Sequence, residues 1–246
     1  KVVGLDGTGG GIALVETAGG VASPGPSGTL QCDLLRPLRL PAVLVADGNL
    51  GGISTTLASM DTLAMRGYDV VAIAIADGGF GNADAIRRHA GGVPVFVLPQ
   101  VPKRQFSAVV GDAESGSSGE YNMYEDDIHG WLKAGTPQFN ALLARLVQWH
   151  NARILKLREA PDSAMKSLWW PFTQHGAVTR ENVTVIDSRS GEDFGVHVED
   201  PAENGPGAIQ LRFDGAASWW TQGVPKELHA RLVRAAAYAA GRWGHV

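Results

Sequence analysis

Four short, unbroken apolar runs constrain the fold of this chain more than any other feature: Ile12 to Val15, Ala42 to Ala46, Val70 to Ala76 and Pro94 to Leu98. A strand that is apolar on both sides must be covered on both faces, and parallel sheets flanked by helices provide that cover. Helical signals lie between the runs. Ser54 can cap a helix carrying Leu57, Met60 and Leu63-Ala64, stopped by Gly67. A shorter helix, about Asn82 to Ala90, ends at Gly91-Gly92. The order is βαβαβ, which predicts an α/β doubly wound domain.

Beyond residue 102 the pattern changes. Residues 103–127 include Gly111 to Glu120, rich in Gly, Ser and acids and without apolar periodicity, and read as a linker or surface insertion. A helix is then expected with Thr136 as N-cap and Pro137 at its first position. Its apolar face is Phe139, Leu142, Leu143, Leu146, Val147 and Ile154, and Pro161 is expected to end it. From about residue 168, Val183 to Ile186, Phe194 to Val198 and Ile209 to Phe213 read as an antiparallel meander. A last helix opens at Pro225, with Leu228, Leu232, Ala235, Ala236 and Ala239 on one face.

Composition narrows the function classes. A net charge of −4 with both signs mixed leaves no electrostatic footprint for nucleic acid or an anionic membrane. No apolar run approaches the ~20 residues that span a bilayer. The single cysteine, Cys32, rules out an internal disulfide or a cysteine metal cluster. The chain opens on Lys1 and stops inside a helical pattern at Trp243 to Val246, so neither terminus reads as natural.

Three constellations can carry chemistry. In Glu16-Thr17-Ala18-Gly19-Gly20, a carboxylate after a strand is followed by glycines. This reads either as a turn or as a site at the carboxyl edge of a sheet, with Glu16 holding a hard cation such as Mg²⁺. Gly48-Asn49-Leu50-Gly51-Gly52-Ile53-Ser54 places glycines before a helix, which makes either a tight turn or an anion site. Gly4 to Gly11 is glycine-rich, but no Gly-Lys-Ser/Thr follows, so it is not a Walker loop. Finally, Trp169-Trp170-Pro171-Phe172-Thr173-Gln174-His175 and Asp214 to Trp220 hold two adjacent tryptophan pairs. Such pairs form core or wall a small-molecule pocket.

The Glu16 to Gly20 motif with Pro24, then Leu40-Pro41-Ala42-Val43-Leu44-Val45 and Leu50 to Ser54, resembles the second half of dethiobiotin synthetase. Trp170 to His175 and Asp214 to Trp220 resemble the opening of diaminopelargonate aminotransferase, a pyridoxal-phosphate enzyme of fold type I. Both on one chain, in this order, are similar to the fused mitochondrial enzyme of plants and algae. The match covers roughly residues 12–102 and 165–246; residues 1–11 fit poorly.

The resemblance implies the C-terminal half of a P-loop-type doubly wound parallel sheet, followed by the N-terminal segment of an aminotransferase. Its domains would be 1–102, a connector at 103–164, and 165–246. It implies that diaminopelargonate, CO₂ and ATP close to dethiobiotin, the diamine being made from 8-amino-7-oxononanoate with S-adenosylmethionine as amino donor. Glu16 would ligate Mg²⁺, and Gly19, Gly20 and Pro102 would contact the nucleotide. Phe96 to Pro102 would lie beside the adenine. Leu50, Gly51, Gly52 and Ser54 would receive the diamine carboxylate across a homodimer interface. Phe172, Trp219 and Trp220 would wall the amino-ketone site, and the localisation would be mitochondrial. No catalytic set is complete: the phosphate loop is expected upstream of Lys1, and the Schiff-base lysine beyond Val246. The piece itself is therefore expected to be inert. Two other readings stay open, a non-catalytic nucleotide-binding-like scaffold and another amide-forming P-loop enzyme such as a cobyrinate amidase; the tryptophan motifs oppose the latter.

Overall fold

The computed structural model describes residues 2–3, 13–76, 78–102, 118–199, 207–215 and 226–244, with backbone alone for 2–3, 118–126, 226–227 and 229. The chain separates into two compact units. One joins Lys1–Leu40, Asp61–Asp69 and Asn151–Val246; the other joins Pro41–Met60 and Val70–His150.

The second unit is an α/β layer. Strands β3 (Ala42–Ala46), β4 (Val70–Ala76) and β5 (Val95–Leu98) form a parallel sheet in the order β3-β4-β5. Helices α2 (Gly52–Ala64) and α3 (Asn82–His89) make the two crossovers. β4 is central, and Val71 to Ile75 are buried on both faces, as an unalternating apolar run requires. Ile86 of α3 is fully buried. At the edge of the sheet, Val45 of β3 remains 78% exposed.

The helix α4 (Ser118–Ser167) begins in this unit. Trp131 Nε1 donates to the Pro99 carbonyl beyond β5, at 2.9 Å, while Arg145 Nε donates to Val71 O at the start of β4, at 3.2 Å. α4 therefore runs antiparallel to the strands, from their carboxyl to their amino ends. Trp131 also packs edge-on against Phe139, with ring centroids 5.5 Å apart.

In the first unit, β6 (Val185–Ser190), β7 (Asp193–Val198) and β8 (Ala208–Phe213) form the expected antiparallel meander. Val196 and His197 are buried on its central strand. The end of α4 is fastened to it by ion pairs: Arg153 to Asp187 at 2.8 Å, and Arg180 to both Asp162 and Glu199. The Arg180 guanidinium holds the Glu199 carboxyl below its ordinary range. This unit also holds the short helix α1 (Gln31–Leu34), the helix α5 (Lys226–Trp243), strands β1 (Val2–Val3) and β2 (Leu14–Val15), and short 3-10 turns at Arg36–Leu38, His175–Ala177 and Arg180–Asn182.

Four expectations need correction. The first run does not join the parallel sheet: β2 pairs antiparallel with β1, and Leu14 and Val15 are exposed. Pairing with a neighbour a dozen residues away closes a shorter loop than reaching the sheet. Helix α2 starts at Gly52, so Ser54 is its third residue rather than its cap. Residues 118–127 of the expected linker are helical, and the helix starts well before the expected cap at Thr136 and continues through both Pro137 and Pro161. A proline removes one hydrogen bond from a ladder that some fifty residues sustain, and Pro161 is buried, so packing offsets part of its cost. Finally, Trp169 is 74% exposed and is not core. Residues 103–117 of the expected linker lie outside the described residues, as do Trp219 and Trp220.

Candidate functional site

The carboxyl ends of β3 and β4 carry two glycine-bearing loops, which pack backbone against backbone. A Cβ on Gly48 would overlap the Ala76 carbonyl, and one on Gly78 would overlap the Gly48 carbonyl. Only glycine permits that approach. Asn82, at the first turn of α3, is 6% exposed and staples the loops. Its Nδ2 donates to Asp47 O at 3.2 Å and to Asn49 O at 2.7 Å. Asp47 Oδ1 accepts from the backbone N–H of Asn49 at 2.9 Å and from its side chain at 2.7 Å, the local turn that Asp and Asn favour. These bonds fix the chain entering α2.

The expected substrate-binding turn lies on this ledge. Leu50 is 81% exposed, Gly51 has φ 87° and is exposed, Gly52 is buried against Asp47 O, and Ser54 is exposed on the first turn of α2. The exposed groups stand at a helix N-terminus, where backbone N–H groups favour an anion.

Beside the ledge is a cavity of about 520 Å³, lined by Gly78, Gly79, the Val97 to Gln100 segment, Ala134 and Gln138. It stands outside the carboxyl ends of β4 and β5, where open α/β sheets bind ligands. Its volume lies in the range of small-molecule sites, roughly 300–1,000 Å³. Val97, Leu98 and Pro99 give it an apolar wall. Gln138 on α4 lines the same cavity, and its Oε1 is buried with no hydrogen-bond partner among the described residues. Pro102, half-buried, follows three residues after Pro99.

The other expected residues are placed elsewhere. Glu16, Gly19 and Gly20 belong to the first unit and are exposed. Glu16 follows β2, so the argument that it ends a buried strand of the sheet does not hold. Gly19 has φ 99°, in a turn where the Thr17 hydroxyl donates to its carbonyl. Phe172, also in the first unit, has φ 56° and is fully exposed. The ring of neighbouring His175 meets the Trp170 carbonyl at 2.9 Å. Among the described residues, no group of three His, Cys, Asp or Glu is placed to hold a metal ion. Sequence reasoning passed over Asn82, Gly78, Gln138 and Trp131. The run Gly78-Gly79-Phe80-Gly81 after a strand signals Gly78; nothing local signals the others.

Residues 11–106 match a family described as an AAA domain. Over 238 residues the chain is 44% identical to a rice (Oryza sativa subsp. japonica) protein named bifunctional dethiobiotin synthetase/7,8-diamino-pelargonic acid aminotransferase, mitochondrial. That match covers 95% of this chain and 26% of the rice protein. Nearly the whole chain is thus similar to one stretch of a fused two-enzyme protein. The Arabidopsis thaliana protein of the same name is 44% identical across 96% of this chain and 26% of its own length. A bifunctional dethiobiotin synthetase/adenosylmethionine-8-amino-7-oxononanoate aminotransferase of Emericella nidulans is 39% identical across 96% and 30%. The chain thus spans about a quarter of the length of its plant relatives. The matches run across both resembling segments and the connector, which favours the fused proteins over a scaffold module or an unrelated amidase.

Proposed function

We propose that this chain is the junction region of a biotin-synthesis enzyme with two activities. Residues 1–102 contribute to an ATP-dependent dethiobiotin synthetase, 103–164 connect, and 165–246 open a diaminopelargonate aminotransferase. The observation that carries the reading is the apolar-walled cavity beside two interlocked glycine loops at the carboxyl edge of a parallel sheet, in a chain whose relatives bear those two names. The cavity takes the adenine of ATP against Val97, Leu98 and Pro99. The Leu50 to Ser54 ledge takes the carboxylate of the diamine, and the loops interlocked through Asn82 hold that carboxylate fixed while CO₂ and ATP act on the amines. Pro102, three residues beyond Pro99, adds a nucleotide contact to that wall, while a nucleotide role for Gly19 and Gly20, and the homodimer, rest on the family resemblance alone.

Mg²⁺ on nucleotide phosphates needs only one or two protein carboxylates; Glu16, exposed after β2 and not in a cluster of three candidate ligands among the described residues, would hold the ion only by what the resemblance implies. The ion supplies charge neutralisation at the phosphates when bound. The residues around Phe172 do not fit pyridoxal phosphate: the Phe172 ring is fully exposed and His175 is engaged by the Trp170 carbonyl. The aminotransferase substrates 8-amino-7-oxononanoate and S-adenosylmethionine are taken from the name of the Emericella nidulans relative, and the mitochondrial location from those of the plant relatives; both are proposals for the whole protein.

Calorimetric titration of ATP and ADP into the chain tests the reading. Both should bind, and Ala134→Trp, which fills the cavity from an exposed helix position, should abolish binding while leaving the thermal midpoint unchanged. No binding to the unaltered chain, or full binding to the variant, would overturn it. These 246 residues contain no Gly-Lys-Ser/Thr sequence, so diamine- and bicarbonate-dependent ADP release should be absent. Turnover comparable to a complete synthetase would refute that part.

A further inference from the structure

A second cavity, of about 210 Å³, lies wholly within the first unit and has no part in the reactions above. Four arginines line it (Arg36, Arg39, Arg66 and Arg189), against one carboxylate, Asp187. Each guanidinium is held by groups around it. Asp33 holds Arg66 at 2.7 Å, and Asp69 holds Arg39 at 2.8 Å. Asp214 holds Arg189 at 2.9 Å. Arg36 donates to the carbonyls of Arg66 and Arg189, at 3.2 and 3.1 Å. Arg153 joins the cluster on Asp187 at 2.8 Å.

We propose that this cavity binds a tetrahedral dianion of the phosphate class, between the Nη2 groups of Arg39 and Arg66 and the hydroxyls of Ser188 and Ser190. Arg66 uses Nε on Asp33 and Nη1 on Thr62 O; Arg39 uses Nη1 on Asp69 and turns Nε toward Asp187. Each keeps the two N–H groups of Nη2 without a partner among the described residues, out of the five donors a guanidinium carries. Ser188 and Ser190 line the cavity from β6, and their hydroxyls are likewise without partners among those residues. The Arg66 side chain is only 10% exposed. A buried N–H donor left without an acceptor is costly, and an anion in the cavity would supply acceptors to these N–H groups.

Shape selects the class. Donors arriving from the turn at 36–40, the turn at 66–68 and strand β6 surround a ligand, which suits a tetrahedral anion better than a planar carboxylate. The volume is room for about seven waters at ~30 Å³ each, so a phosphate and a few waters fit but a nucleotide does not. The bound anion would clamp β6, from the aminotransferase-like segment, onto two turns of the synthetase-like segment.

The test uses the whole chain and inorganic phosphate. Titration calorimetry should show saturable binding, and phosphate should raise the thermal midpoint beyond sodium chloride at matched ionic strength. Hydrogen exchange should slow at residues 185–190. Phenyl phosphate in a parallel titration separates sources: exclusion means the free ion, and binding means a phosphorylated ligand that extends outward; either supports the site. Ser188→Ala/Ser190→Ala, which leaves every ion pair intact, should weaken binding roughly tenfold or more, with an unchanged midpoint in chloride. Ala134→Trp, in the other unit, should bind phosphate normally. A phosphate response equal to that of chloride would overturn the proposal, as would unchanged affinity in the double serine variant. If that variant does not fold, exchange in the unaltered chain decides, and unaltered rates at 185–190 would sink the site.

Discussion

The residues that build the ledge divide by how local their signal is. Gly51 and Gly52 stood out because glycine before a helix has a local meaning, and Gly51 does take a positive φ. Asn82 did not, because an asparagine at a helix start reads as a cap. Its side chain instead bonds loop carbonyls thirty-three and thirty-five positions earlier, a tertiary contact without sequence periodicity. Its removal gives a direct prediction. Asn82→Ala leaves the Asp47 and Asn49 carbonyls short of a donor and should cost about 1–3 kcal/mol, read from urea unfolding. Asn82→Asp should cost more, since it sets a carboxylate against two carbonyl oxygens. Equal stability of the two variants would mean that the staple contributes only packing. Gly48→Ala should be at least as damaging as either, because no rotamer can relieve a Cβ pressed on the Ala76 carbonyl.

Among elements, the ones read best were those whose period is set by burial. β4 and α3 appear almost as the apolar pattern placed them, and β7 and β8 fall within one residue of their expected bounds, while β6 is displaced by two residues at its start and four at its end. The misreading was α4. Pro137 and Pro161 looked like its boundaries, but both sit inside one helix of 50 residues. Proline carries its local penalty whether or not the helix survives, and tertiary bonds from Trp131 and Arg145 hold this one. Continuity of α4 can be checked at Pro137, which is exposed. Pro137→Ala restores a bond to the Lys133 carbonyl and should add up to about 3 kcal/mol of stability, with a higher helical signal in circular dichroism. A loss of stability would mean that the helix needs a break there. Trp131→Phe should have the opposite sign, about 1 kcal/mol destabilising, because it removes the donor to Pro99 and lowers adenine-nucleotide affinity through the cavity wall.

On the scale of the whole chain, the sequence suggested boundaries at 102 and 164, whereas compactness groups Lys1–Leu40 and Asp61–Asp69 with Asn151–Val246. An ion pair and a hydrogen bond between segments distant in sequence account for part of the difference. Arg39 reaches Asp187 at 3.6 Å and Arg36 reaches the Arg189 carbonyl, so side chains of the synthetase-like segment engage β6. Such pairings join residues about 150 positions apart and leave no trace in local composition. The same interior gives an alkaline signature. The Tyr68 hydroxyl donates to the Cys32 carbonyl at 2.9 Å, and burial pushes its pKa up to about 12. Burial also raises the Cys32 thiol. Both groups are neutral when protonated, and folding favours that form. In the unfolded chain tyrosine ionises near pH 10, so the unfolded state binds fewer protons between about 10 and 12. The stability contributed by Tyr68 is therefore complete below about pH 10 and lost as pH rises toward about 12, with the Cys32 contribution fading from the ordinary thiol range upward. Urea midpoints measured from pH 8 to 12 should fall through that window. Tyr68→Phe, which loses the hydrogen bond and the titration together, should be less stable at pH 8 by about 1 kcal/mol and show a shallower alkaline fall. A variant whose midpoint falls as steeply as that of the unaltered chain would place the alkaline sensitivity elsewhere and remove Tyr68 from the account of what holds the first unit together.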